Sequence, residues 1–108
     1  MMQPWGSGTS KTIVVTVDAD IEDLIPVFLE GRREDIKALV EALEKGDYDT
    51  VLVLGHNMKG AGGSYGFDLI TELGRDLEQS AKEQNAENVG RLVKELSTYL
   101  DRVEVVYV

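Results

Sequence analysis

The spacing of hydrophobic and polar residues changes twice along this chain. Thr12 to Val17 (TIVVTV) is a β-branched run and predicts a short strand. Val103 to Val108 (VEVVYV) predicts a second strand near the other terminus. Between them the period is helical. Ile21, Leu24, Ile25 and Phe28 lead into Ile36, Leu39, Val40 and Leu43, the last four spaced i, i+3, i+4, i+7. Asp18 or Asp20 is the expected N-cap of this stretch. Pro26 and Gly31 interrupt it, which predicts a kink, or a short helix leading into a longer one. Gly46 reads as the stop and Asp47 as the next cap. A second helix places Tyr48, Val51, Leu52, Gly55, Met58 and Gly62 on one face and ends near Gly66. A third starts at about Asp68 with Leu69, Ile70, Leu73 and Leu77 inward. Asn85 caps a fourth, whose stripe is Val89, Leu92, Val93, Leu96, Leu100 and Val103.

The expected fold is all-α: an antiparallel up-down-up-down four-helix bundle. In that order the first strand runs into one end of the bundle and the last strand runs out of the same end. The two are therefore expected to pair antiparallel, as a short two-stranded ribbon of residues 12–17 and 103–108. Such a ribbon is marginal alone, so it needs the bundle or a second copy to pack on. Both a monomer and a ribbon-mediated homodimer fit. Residues 12–108 read as a single domain. Residues 1–11 read as a flexible tail, rich in Gly and Ser around an exposed Trp5.

Charge and composition narrow the function. The 108 residues carry 20 Asp and Glu against 11 Lys and Arg, a formal charge of −9. Nucleic acid is a poor partner for such a chain. There is no Cys, which excludes disulfides, thiol catalysis and thiolate metal sites. The single His, His56, excludes chemistry that needs two imidazoles from one chain. No apolar run reaches membrane-spanning length, and the start lacks the features of a secretory signal. The expected location is cytoplasmic, with no membrane partner.

The chemistry is concentrated in Gly55-His56-Asn57-Met58-Lys59-Gly60-Ala61-Gly62-Gly63-Ser64-Tyr65-Gly66. Glycine inside a helix costs about 0.5–1 kcal/mol relative to alanine, so this density needs a reason. Close helix packing accounts for Gly55 and Gly62 on the inward face. At about 100° per residue, His56, Gly60 and Gly63 fall together, and Lys59 is a surface neighbour of His56. An imidazole thus stands at the edge of the buried face, beside a cation and bare backbone. A neutral ring nitrogen is a nucleophile, and an ammonium can neutralise a phosphoryl oxygen. Phosphoryl transfer needs mostly positioning and charge stabilisation.

Three other motifs fail. Gly62 to Gly66 matches the G-x-S-x-G elbow, but the preceding segment is helical and the only His lies upstream. Gly55 and Gly60 have the P-loop separation, yet Ala61-Gly62 stands where Lys-Ser/Thr is required. A Glu-x-x-His bundle metal site would need Glu at 53, which is Val.

His56-x-x-Lys59-Gly60, followed by Gly66, then Leu69, Leu73, Leu77 and Glu78, resembles the histidine phosphotransfer (HPt) domain family. The upstream stretches Leu24 to Glu30 and Ala42 to Asp47 resemble bacterial members, so the likeness spans roughly residues 18–100. It implies a phosphocarrier that accepts a phosphoryl group on His56 from a receiver-domain aspartate and passes it to another receiver. His56 would be the phosphoacceptor, at the ring nitrogen far from the backbone. Lys59 would steady the phosphoryl group and Gly60 would clear space for the receiver. Glu78 matches a position where some relatives place a polar residue near the His. Gly63, Leu52 and Val53 would line the docking face. Within the family a proline such as Pro26 sits in the first helix, which favours a kink over a break. The resemblance implies no ATP site, cofactor or metal of its own, and hence no enzyme turnover. The divalent metal would belong to the receiver. Receiver domains and a hybrid sensor histidine kinase are the implied partners. Two alternatives remain open: a helical docking module that is never phosphorylated, and a hydrolase pairing Ser64 with His56.

Overall fold

The computed structural model describes residues 12–108. The expected tail, with Trp5, lies outside them. Four helices carry most of the chain: α1 (Ile25–Lys45), α2 (Tyr48–Gly62), α3 (Asp68–Lys82) and α4 (Ala86–Arg102). Strands β1 (Ile13–Val17) and β2 (Val103–Tyr107) flank them. The helices pack in a ring, α1 on α2 and α4, and α3 on α2 and α4, with the most extensive contact between α2 and α3.

The helix boundaries follow the local chemistry. Gly46 takes φ +67°, a left-handed conformation open to glycine, and so ends α1. The Asp47 carboxylate accepts from the Thr50 N–H at 3.1 Å and caps α2. Asn85 accepts from the Asn88 N–H at 3.0 Å and caps α4. Asp18 caps a 3-10 segment, Ala19–Leu24, that precedes α1. The entry is therefore a short helix leading into a longer one. The irregular backbone sits at Ile21, at φ −111° and ψ 16°, and not at Pro26. Pro26 lies in the first turn of α1, where its missing N–H has no helical partner to lose. Gly31 is absorbed into the helix.

The strands pair, but in parallel, with Ile13 opposite Val103 and Val17 opposite Tyr107. This corrects the expected antiparallel ribbon. The 3-10 segment separates Val17 from Ile25 and turns the chain, so β1 does not run straight into α1. Val103, by contrast, follows Arg102 with no loop. The sheet gains its stability from the bundle: Ile13, Val15, Val17, Val103, Val105 and Tyr107 pack on the core, while Val14, Thr16, Glu104 and Val106 face outward.

The core is built from Leu39, Val51, Met58, Phe67, Ile70, Leu77, Val89, Leu92 and Leu96, all essentially without exposed surface. Leu24, Val40 and Leu69 were expected on inward faces and are exposed. Val40 and Leu69 stand at the margins of their apolar stripes, where a helix in a ring of four turns away from both neighbours, whereas Leu24 ends the 3-10 segment and lies outside that ring. Val103, expected both at the end of the α4 stripe and at the start of the last strand, opens β2 and is half-buried. Phe28 stacks on Tyr65 and on Phe67, with centroids 4.5 and 5.4 Å apart, and ties α1 to the α2–α3 connection.

Candidate phosphoacceptor site

α2 and α3 touch backbone to backbone. A Cβ on Gly55 would stand 2.7 Å from the Glu78 nitrogen and 2.8 Å from the Gly74 carbonyl oxygen. A Cβ on Gly74 would stand 2.5 Å from the Lys59 nitrogen and 2.7 Å from the Gly55 oxygen. Only glycine fits at either position. About two turns further along α2 from Gly55, Gly62 meets Thr71 and Phe67 in the same way. The glycine density of α2 is thus partly a packing device, as expected for Gly55 and Gly62. Gly74 was not anticipated. A lone glycine in a leucine-rich helix shows its purpose only beside a second glycine on the facing helix.

This close approach lets one carboxylate on α3 reach two residues on α2. Glu78 Oε2 lies 3.1 Å from His56 Nδ1, and Glu78 Oε1 lies 2.7 Å from Lys59 Nζ. The His56 side chain is 62% exposed and that of Lys59 36%, whereas the Glu78 side chain is 12% exposed. The carboxylate is the sheltered centre of the trio and the imidazole is its open member. The Lys59 ammonium donates to Glu78 and holds its carboxyl below the ordinary glutamate value of 4.5, against the opposing effect of desolvation. His56 adds to the lowering.

The sign of the pH dependence follows. A depressed carboxylate contributes stability that is complete above its unfolded value and is lost as pH falls through its folded value. The bridge should therefore survive acidification past pH 4.5 and open only below it. In an NMR titration the Glu78 carboxyl carbon is expected to show a midpoint under 4.5; a midpoint at or above 4.5 would mean that the Lys59 bond is not formed in solution.

The other expected site residues fall as follows. Gly60 is exposed, and a Cβ there would meet no atom within 4 Å, so the surface beside the ring is open. Gly63 is exposed and donates its N–H to Thr71 Oγ1 at 2.7 Å, tying the end of α2 to α3. Val53, one turn before His56, is 54% exposed, and Leu52 is half-buried. Ser64 donates to the Gly60 carbonyl at 3.4 Å, while the ring partner of His56 is Glu78. The hydrolase pairing of Ser64 with His56 therefore has no geometric basis.

A family model for the Hpt domain matches residues 23–105, from the 3-10 segment through all four helices into β2. The chain belongs to the Hpt domain family. No curated protein and no solved structure matches it. Hpt domains serve histidine phosphotransfer in phosphorelays, act as phosphocarriers rather than kinases, and interact with receiver domains of two-component systems. Among the described residues of this Hpt domain, no helix is long and apolar enough to cross a membrane.

Proposed function

We propose that His56 accepts a phosphoryl group at Nε2 from a receiver-domain aspartyl phosphate and returns it to the aspartate of a second receiver. The observation that carries this is the bridge from Glu78 to both His56 Nδ1 and Lys59 Nζ under an exposed ring. An ionised carboxylate only accepts hydrogen bonds, so Nδ1 is the nitrogen that holds the proton. Nε2 then carries the free lone pair, and it has no hydrogen-bond partner among the described residues.

In the transfer, the Nε2 lone pair attacks phosphorus in line. The N–P bond forms, the P–O bond to the aspartate breaks, and the aspartate leaves as carboxylate with that electron pair. No proton need move. The ring keeps its Nδ1 proton and gains a positive charge, which Glu78 is placed to stabilise. Lys59 has three donors and can offer one to a phosphoryl oxygen while holding Glu78. Gly60 leaves room for the receiver, and Leu52, Val53 and Gly63 complete the docking face. The receiver supplies the divalent metal. The up-down-up-down order of the helices belongs to this reading, favoured by the short connections between them.

Phosphoramidate, a small phosphoryl donor, tests the site without a partner. The expected result is one added phosphoryl group by intact mass, labile in acid, stable in base, and mapped to His56. Folded protein that takes up none would replace this reading with the unphosphorylated docking module.

A further inference from the structure

The residues that follow Lys59, Gly60-Ala61-Gly62-Gly63-Ser64, include three glycines. Backbone of that composition has much freedom to lose, so contacts must fix its shape. Two sides of it are held. On the α1 side, Tyr65 stacks on Phe28, with centroids 4.5 Å apart. On the α3 side, the Gly63 N–H donates to Thr71 Oγ1 at 2.7 Å. Among the described residues this is the one side-chain hydrogen bond from residues 60–66 to α3. Thr71 is also the wall against which Gly62 rests: a Cβ there would stand 2.6 Å from both the Thr71 nitrogen and Oγ1. The Thr71 hydroxyl thus sits where α2 gives way to the 3-10 turn Gly63–Tyr65.

The segment held in this way belongs to the surface around His56. Gly60 and Gly63 lie about one and two turns beyond His56, roughly 6 and 10 Å along the axis, in the same sector of the helix. Gly60, Gly63 and Ser64 are exposed. A transient interface of about 1,000 Å² covers about 500 Å² of each partner, a patch that reaches roughly 12 Å from its centre. A protein that brings phosphorus to His56 Nε2, its contact centred on the ring, therefore rests on this shelf. Thr71 is half-buried behind it. Seven residues, or about 10 Å, separate Thr71 from Glu78 along α3, so it stands apart from the carboxylate bridge.

We infer that Thr71 is a positioning residue, whose hydroxyl pins the Gly60–Ser64 shelf in the shape on which a phosphorylated receiver domain docks beside His56. This deepens the reading of His56 as acceptor and rests on it. A shelf fixed in advance spares the encounter the cost of ordering it, and so favours docking. Thr71 touches neither the ring nor the phosphoryl group; it acts through the backbone of Gly63.

The test compares Thr71→Val, Thr71→Ala and Thr71→Ser with wild type. Two donors are used: phosphoramidate, too small to need the shelf, and a receiver domain whose aspartyl phosphate is formed with acetyl phosphate. Val keeps the outline of Thr but sets a methyl where 2.7 Å separates Oγ1 from the Gly63 nitrogen, well inside van der Waals contact, so the shelf must shift. Ala removes the hydroxyl without that push. In both, the KM for the phosphorylated receiver is expected to rise about fivefold while the phosphoramidate rate stays within about twofold of wild type. The Gly63 amide should exchange its hydrogen about tenfold faster. Ser keeps the hydroxyl and should match wild type in all three measurements. A receiver KM unchanged in both Val and Ala, an equal loss with the two donors, an unchanged Gly63 exchange rate, or a Ser variant that behaves like Val each overturns the proposal. If wild type takes phosphoryl from neither donor, the acceptor reading fails and the docking role with it. An unchanged receiver KM with both donors still active is the failure of Thr71 alone.

Discussion

Replacing His56 with Gln is expected to reduce phosphoryl acceptance to background and to leave the fold intact. The two halves of that result have separate causes. The His56 side chain is 62% exposed and its one hydrogen bond is to Glu78. A Gln amide can donate to the same carboxylate, and a surface change of this kind stays within about 0.5 kcal/mol. The helical signal and the melting midpoint should therefore match wild type. Chemistry does not survive, because the amide nitrogen shares its lone pair with the carbonyl and is no nucleophile. The variant should take no acid-labile phosphate from phosphoramidate and should stop relay between two receivers. A folded Gln variant that still gains an acid-labile phosphoryl group would place the acceptor elsewhere, although His56 is the only imidazole in the chain. Uptake lost together with the fold would show instead that the ring supports α2.

The elements around this site were readable to different depths. The caps at Asp47 and Asn85 and the stop at Gly46 were legible because each is a local rule, set by one side chain or one positive φ. The stripe of α4 was legible because one period runs unbroken from Val89 to Leu100. Strand direction was not. It depends on how the chain turns between Val17 and Ile25, and the sequence of that segment shows an N-cap without showing a path. The exposure of Leu69 was not legible either. A helix in a ring has a buried arc whose width its neighbours decide, and Leu69 falls beyond that arc at 38% exposure.

The site divides in the same way. His56 and Lys59 are three residues apart on one helix, so their adjacency is written in the spacing. Glu78 is 22 residues from His56, and its place beneath the ring depends on the facing helix. Only the family resemblance pointed there, and it carried no geometry. That one carboxylate serves both residues of α2 emerges from the distance between two backbones, which no single helix encodes.

Gly74→Ala is the second large effect, and its origin is that distance. A Cβ at 74 would sit 2.5 Å from the Lys59 nitrogen, 2.7 Å from the Gly55 oxygen and 2.9 Å from the Met58 Cβ. The first two are main-chain atoms that cannot rotate away, so α3 must move off α2. Overpacking of this kind costs about 1–3 kcal/mol, occasionally more. The gain in helix propensity from Gly to Ala, about 0.5–1 kcal/mol, offsets part of it. With about 4–8 °C per kcal/mol in a domain of this size, the midpoint should fall by roughly 5–15 °C. Gly31→Ala makes the sign test, since a Cβ there meets nothing within 4 Å and the same propensity gain should raise the midpoint by a few degrees. The loss at Gly74 should also reach the chemistry. Glu78 stands one turn beyond Gly74, so a displaced α3 withdraws the carboxylate from His56 Nδ1 and Lys59 Nζ together. Phosphoramidate uptake should then slow even at temperatures where the variant is fully folded. A destabilised variant with unchanged uptake would separate the two, showing that the glycine contact holds the bundle together while the ring reacts without the shared carboxylate.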